Sequence, residues 1–262
     1  FLEGKFKLNN LRILKQFNGC CFADLDLKQQ GVIEDFQLLF YIIQPPTPER
    51  VKYDIFDRVN RGGTPLNKQE MRNALYRGRC TRMLDKLCCS PEFLIATGRS
   101  INKERMKDQY VVLRAMAFLM LHRGEFKDIP ALQYRGDIDD FLARFMVYVN
   151  DNAPEKLIVD YENLFIRCMQ ISYDLLGENG FRFSGNGIRR PINMPLFEAL
   201  SYLFSFVPEK IDYTWASRLI LDIESVKEEF DDSRYFSGNI DSTTSVSFRF
   251  DRMDKIINRI QL

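Results

Sequence analysis

The sequence predicts an α+β protein that is mostly helical, with a small α/β part over residues 1–78 and a helical part over residues 79–262. The first part contains the best strand pattern, the aromatic and β-branched run Phe36–Gln44, which Pro45 and Pro46 stop. After it, apolar residues recur at helical spacing almost throughout. Because one strand cannot make a sheet, we expect the α/β part to be incomplete within this chain.

The elements around the strand follow from turn and cap residues. The stretch Phe6–Phe22 indicates short extended pieces joined by a turn at Asn18-Gly19. Thr47-Pro48 should begin a helix, since Thr caps well and Pro suits the first turn.

The helical part is predicted from apolar periodicity, and its helices are separated by loops that carry Gly or Pro. The expected helices are Arg79–Cys89, Lys103–His122, Asp137–Asn150, Pro154–Leu176, Pro191–Phe206, Thr214–Phe230 and Ser247–Ile260.

Overall charge is balanced, with 37 Lys and Arg against 36 Asp and Glu. This argues against a protein that coats nucleic acid by bulk charge. The stretch Lys68–Lys107 is locally basic, with ten basic and four acidic residues and a net charge of +6. That stretch would suit an anionic ligand, although a solvated helical face is the simpler interpretation of the charge alone.

The six cysteines include two adjacent pairs, and no C-x-x-C spacing occurs. With a single histidine, a zinc site is not expected. We interpret the cysteines as reduced, mostly buried thiols, which predicts a cytoplasmic protein. No signal peptide and no run of ~18 apolar residues is found, so we expect no membrane span.

A single histidine and a cluster of aspartates could in principle be catalytic or bind a metal, but structural roles explain both better. His122 stands near a helix end, where a protonated imidazole would interact favourably with the helix dipole. The cluster of Asp137, Asp139 and Asp140 stands at a helix start, where capping is expected rather than metal binding.

The segment that most strongly suggests a function is the helix–Gly-Gly–helix segment Tyr53–Tyr76. Gly62 and Gly63 permit positive φ and leave main-chain N–H groups unshielded. The next helix opens at Asn67, with Glu70 placed for a capping box, and we expect unpaired N–H groups to face outward there. Such a loop can hold a phosphate, and the alternative is a helix C-cap followed by a new N-cap.

The string IFDRVNRGGTPLNKQEMRNALY resembles a signature of the GmrSD-type restriction-system N-terminal domain family. That family's F-x-x-x-N-x-x-G-x-x-L core is matched by Phe56, Asn60, Gly63 and Leu66. Further segments that resemble the family cover essentially the whole chain, from the residues before the strand to RRPINMPLFEALSYLF at Arg189–Phe204.

The resemblance implies a partial ParB- or sulfiredoxin-like α/β part followed by a helical bundle. It also implies binding of a nucleotide, GTP or another NTP with Mg²⁺, or of modified DNA, in a restriction or phage-defence system with a possible nuclease partner. The nucleotide- or phosphate-binding residues would be Asn60, Arg61, Gly62, Gly63, Leu66 and Arg72.

Two family features are missing from this sequence. Its D-G-Q-Q-R signature is absent, so we expect the chain to lack the catalytic half, to hold no cofactor alone and to be inactive alone. The single histidine excludes a His-Asn-His nuclease within the chain. Whether the protein is an enzyme therefore stays open, and the catalytic residues stay unassigned.

A second basic feature is the loop Phe183–Pro191, which leads Arg189 and Arg190 into a predicted helix start. Such a pair could contact a nucleic-acid backbone, although a plain exposed loop is the simpler interpretation. The alternative function is therefore a non-catalytic module that binds DNA or a protein.

Overall fold

The computed structural model describes residues 1–40, 42, 44, 47, 49–60, 65–183, 189–208, 210, 212–231, 235–236 and 238–260. Within these residues the chain is mostly helical, as predicted, and no strand is formed. It divides into two compact units, Phe1–Lys52 and Tyr53–Leu262.

The first unit contains helix α1 (Leu27–Glu34), which Asp26 caps by accepting a hydrogen bond from the N–H of Gln29. The turn predicted at Asn18-Gly19 is present. Asn18 has a φ of −63° and Gly19 a φ of +89°, the pattern of a type II turn, in which the third residue favours glycine. Helix α2 (Glu49–Asn60) crosses the boundary between the units.

The strand predicted for Phe36–Gln44 is a wrong prediction for its described residues. Phe36, Leu38, Leu39 and Phe40 lie in irregular structure with 66–79% of each side chain exposed. The run has high β propensity, but an isolated strand leaves its main-chain N–H and C=O groups without a ladder partner. Propensity therefore does not produce a strand, and the α/β part is not shown.

The second unit is built from helices. In chain order they are α3 (Lys68–Leu75), α4 (Arg79–Cys88), α5 (Pro91–Ala96), α6 (Lys107–His122), α7 (Ile138–Asp151), α8 (Glu155–Leu176), α9 (Met194–Phe204), α10 (Tyr213–Asp231) and α11 (Thr243–Ile260).

Most of these helices match the predicted ones to within four residues. Two starts differ in ways that affect the candidate sites. Helix α6 begins at Lys107 instead of Lys103, because Arg105 and Met106 adopt left-handed conformations. Helix α9 begins at Met194 instead of Pro191, because Asn193 caps it by accepting from the N–H of Leu196.

Helix α6 is the centre of the core. Its residues from Val111 to Met120 are all buried, and it packs against α4, α7 and α9. Helix α11 packs against α9 and also contacts α6, since the rings of Phe118 and His122 lie against Phe250. Such burial of a helix around its whole circumference is expected for the middle element of a bundle.

Polar contacts attach α3 to the helices that follow it. The Asn67 amide donates to the carbonyl of Arg105 at 2.7 Å, and Arg72 pairs with Asp139 of α7. The predicted division near residue 78 thus lies inside the second unit, immediately after α3.

His122 is part of the core, as a structural role predicts. The interaction with the helix dipole that we expected does not explain it, because that interaction needs a protonated ring. Its imidazole stacks on Phe250 at 3.5 Å, and burial, with Arg249 nearby, lowers its pKa to about 3. It is therefore neutral near pH 7 and packs as an aromatic ring.

The described part of the chain contains no disulfide, and Cys80, Cys88 and Cys168 are buried. None of the described helices has the length and hydropathy that a membrane crossing requires.

Candidate functional site

A cleft of about 520 Å³ lies beside the start of α3, and four cationic side chains line it: Lys68, Arg72, Arg105 and Lys107. They come from both ends of the basic stretch Lys68–Lys107, which the fold brings together on one surface. We call this cavity the basic cleft. Its size is within the range of small-ligand sites, and its charge favours an anion.

The first turn of α3 is closed by the predicted capping box. The Asn67 Oδ1 accepts from the N–H groups of Gln69 and Glu70, at 2.8 and 2.9 Å. In return, Glu70 accepts from the N–H of Asn67 at 2.6 Å. The expectation of unpaired N–H groups at this helix start is therefore wrong, because the cap uses the same donors. An anion in the cleft must rely mainly on side chains.

Arg72 is placed at the cleft, but its guanidinium is already bound. It is 1% exposed, and it donates to Asp139 at 2.8 Å and to the side-chain oxygen of Gln69. It also lies over the ring of Tyr110, 5.3 Å from the centroid. Arg72 thus supplies positive potential at the wall of the cleft, while Asp139 offsets part of it.

Asp139 is the carboxylate that organises this wall. It accepts from Lys68 and from Arg72. Burial acts to raise the pKa of Asp139, but the two hydrogen-bonded cations outweigh it and hold the pKa below its ordinary value. The cap expected at this helix start is provided by Asp137, which accepts from the N–H of Asp140.

A strained turn forms another part of the lining. Arg105 and Met106 are consecutive non-glycine residues with φ of +56° and +58°, conformations that cost on the order of 1–3 kcal/mol each. Two amides of α3 hold the turn: Asn67 donates to the carbonyl of Arg105, and Asn73 donates to the sulfur of Met106 at 3.1 Å. The surrounding contacts thus impose the strain, as is common at ligand sites.

The turn aims the Arg105 side chain back at the glycine segment. Its guanidinium donates to the carbonyl of Pro65 at 2.7 Å and to Glu70 at 3.0 Å. The hydrogen bond from Arg105, followed by the one from the N–H of Asn67, lowers the pKa of Glu70 below its ordinary value. Lys107 is exposed and forms no ion pair with any described residue.

The proposed loop residues are only partly described. Asn60 ends α2, and its side chain lies outside the described residues, as do Arg61, Gly62 and Gly63. Leu66 is described and half-buried. Sequence reasoning did not single out Arg105, Lys107 or Tyr110, although the net charge of the basic stretch was a signal for the first two.

Arg189 and Arg190 are not at a helix start, because α9 begins at Met194. Arg189 pairs with Glu178 at 2.7 Å, and Arg190 pairs with Asp231. Each cation is therefore offset by a carboxylate at the surface, which weakens the case for a nucleic-acid contact at this loop.

Within the described ranges, no group of three or more His, Cys, Asp or Glu side chains is arranged to hold a metal ion. Comparison with protein-family models, with curated proteins and with solved structures finds no match to this chain.

Proposed function

We propose that this chain binds a nucleoside triphosphate in the basic cleft, as part of a restriction- or defence-type protein. The observation that carries the proposal is the convergence of Lys68, Arg72, Arg105 and Lys107 on one cavity of about 520 Å³. Phosphate groups are the common biological ligand for clustered Lys and Arg side chains.

The charge of the cleft fits a polyanion better than a single negative charge. Three carboxylates, those of Glu70, Glu104 and Asp139, stand beside the four cations. Lys107 has no such partner among the described residues, and Arg105 is half-exposed. A triphosphate carries enough charge to compete with the carboxylates for the cations.

The sequence resemblance supports the same ligand. Asn60, Gly63 and Leu66 match the family's glycine segment, and Pro65 in that segment accepts a hydrogen bond from Arg105 of the cleft. In this proposal Pro65 and Leu66 lie next to the phosphates, and the predicted binding residues Arg61, Gly62 and Gly63 lie outside the described residues. The ParB-like α/β arrangement would need strand partners that the described residues do not form.

Mg²⁺ would accompany the triphosphate and would be held mainly by the phosphate oxygens, as is usual for this ion. Glu104 lines the cleft and is the carboxylate available there as a protein ligand. In the bound complex the ion would neutralise phosphate charge. The residues that line the cleft all belong to this chain, so the proposal departs from the expectation that the chain alone holds no cofactor. Hydrolysis by the chain alone is not proposed.

Thermal unfolding of the full chain with GTP or ATP, each with Mg²⁺, tests the proposal. A ligand at about 100 times its Kd adds about 2.7 kcal/mol of stability, and 1 kcal/mol moves Tm by about 2–4 °C in a protein of this size. We therefore expect a Tm increase of about 5–10 °C. If neither triphosphate raises Tm, the proposal is wrong.

A charge-reversal pair locates the site. Lys107→Glu should weaken triphosphate binding by on the order of tenfold, since it places a carboxylate at the cleft. Lys156→Glu makes the same change in net charge on exposed α8 and should leave the affinity unchanged. Equal loss in both variants would show that net charge, and not the cleft, determines binding.

A further inference from the structure

A second cavity, of about 370 Å³, adjoins the basic cleft, because Asn102 lines both of them. Its apolar lining comes from Phe93, Leu94 and Ile101, and its polar lining includes Lys103 and Asp108. The volume is within the range of small-ligand pockets. The two cavities together thus offer a strongly basic compartment next to one whose lining mixes apolar and polar side chains.

Asp108 is the unusual member of this lining. It is the second residue of α6 and only 7% exposed, and no described Lys or Arg forms an ion pair with it. Its described hydrogen-bond donors are main-chain N–H groups of the first turn, with Gln109 at 2.8 Å. Burial raises the pKa of Asp108 above its ordinary value.

The helix dipole accounts for a carboxylate in the first turn of α6. It does not account for burial at a cavity wall without an ion-pair partner among the described residues, which is costly for a charged group, although the nearby charge of Lys103 acts to lower the pKa of Asp108. A ligand that donates hydrogen bonds would remove that cost.

The chemistry of a carboxylate restricts what it can recognise. It is an acceptor with two oxygens, and it forms two hydrogen bonds only with a ligand edge that presents two adjacent donors. Among the common nucleobases, guanine has such an edge, in its N1–H and 2-amino groups. The corresponding edges of adenine, cytosine and uracil do not present two adjacent donors. Lys103 in the same cavity is a donor of the kind that binds guanine O6 and N7.

We infer that the second cavity is the base-binding subsite for the triphosphate in the basic cleft, and that Asp108 selects guanine. This inference rests on the proposed function, since it assigns the base of the same ligand. The apolar side chains Leu94 and Ile101 would contact the faces of the purine, and Asp108 would accept from its N1–H and 2-amino groups.

Binding of GTP, ITP and ATP to the full chain, measured by calorimetry with Mg²⁺, tests the inference. ITP lacks the 2-amino group, and adenine presents one donor on the edge concerned. One bidentate pair of hydrogen bonds discriminates between bases strongly enough that we expect GTP to bind on the order of tenfold more tightly than ITP or ATP.

Asp108→Asn should change which nucleotide is preferred, instead of simply weakening binding. The amide accepts from N1–H and donates to a C2 carbonyl, so this variant should prefer XTP over GTP. Asp160→Asn, at an exposed position of α8, makes the same change in charge and should keep the GTP preference. Tm of each variant reports whether it is folded.

The outcomes separate the two proposals. If GTP, ITP and ATP bind equally to the unsubstituted chain, the guanine assignment is overturned while the phosphate site stands. If none of them binds, both fail. The comparison among the three nucleotides needs no variant, so it decides the question even if Asp108→Asn does not fold.

Discussion

Replacing Glu198 with Gln should strongly destabilise the second unit. The Glu198 carboxylate is fully buried in α9 and accepts from two buried guanidiniums, those of Arg114 and Arg249. After the change, Arg114 keeps Asp241 at 2.6 Å, but the hydrogen-bond acceptors left to Arg249 among the described residues are the neutral carbonyls of Tyr235 and Ile240. One fully buried cation then lacks a counter-charge, which costs about 3–5 kcal/mol in comparable cases.

Equilibrium urea unfolding at pH 7 measures this loss as a difference in the free energy of unfolding. Glu178→Gln is the matched control, since it removes the same charge from an exposed pair with Arg189 and should cost below about 1 kcal/mol. The double variant Glu198→Gln, Arg249→Met should recover part of the loss, because it removes the stranded cation. A cost for Glu198→Gln no larger than that of the control would refute the reasoning.

Three further predictions concern single positions. Gly98→Ala should lower stability by about 1 kcal/mol in thermal unfolding, because φ is +58° and the new Cβ would lie 2.0 Å from Arg189 Nη2; an unchanged Tm would contradict it. His122 binds its proton only below pH about 3 when folded but near 6.5 when unfolded, so stability falls as pH drops through this window. Between pH 7 and pH 5 the free energy of unfolding of His122→Phe should therefore fall by about 2 kcal/mol less than that of the unsubstituted protein. Parallel plots of unfolding free energy against pH for the two proteins would exclude this. Asn67→Ala should cost about 1–2 kcal/mol in urea unfolding, since it removes the α3 cap and the bond to the Arg105 carbonyl, and a neutral effect would show that neither matters.

The features predicted correctly from the sequence are those that neighbouring residues determine. The capping box of Asn67 and Glu70 and the turn at Asn18-Gly19 depend on groups within three residues of each other. The helices followed from periodicity, which reports the buried face directly.

The features that failed depend on distant partners. Phe36–Gln44 has strand propensity but no neighbouring strand among the described residues. Arg189 and Arg190 looked available in the sequence, yet folding brings Glu178 and Asp231 to them. In the candidate site, Arg105 joined Arg72 only through a left-handed turn that no local pattern indicates.

Asp139 acts on the cations of the basic cleft as a tethered competitor. It is an anion attached to the protein, already bound to Lys68 and Arg72, and its attachment gives it a high effective concentration. An incoming ligand must displace or share this carboxylate. A singly charged anion gains too little from that exchange, whereas a triphosphate can contact Arg105 and Lys107 at the same time. We therefore expect chloride to bind the cleft weakly and ligands with several linked charges to bind it more tightly.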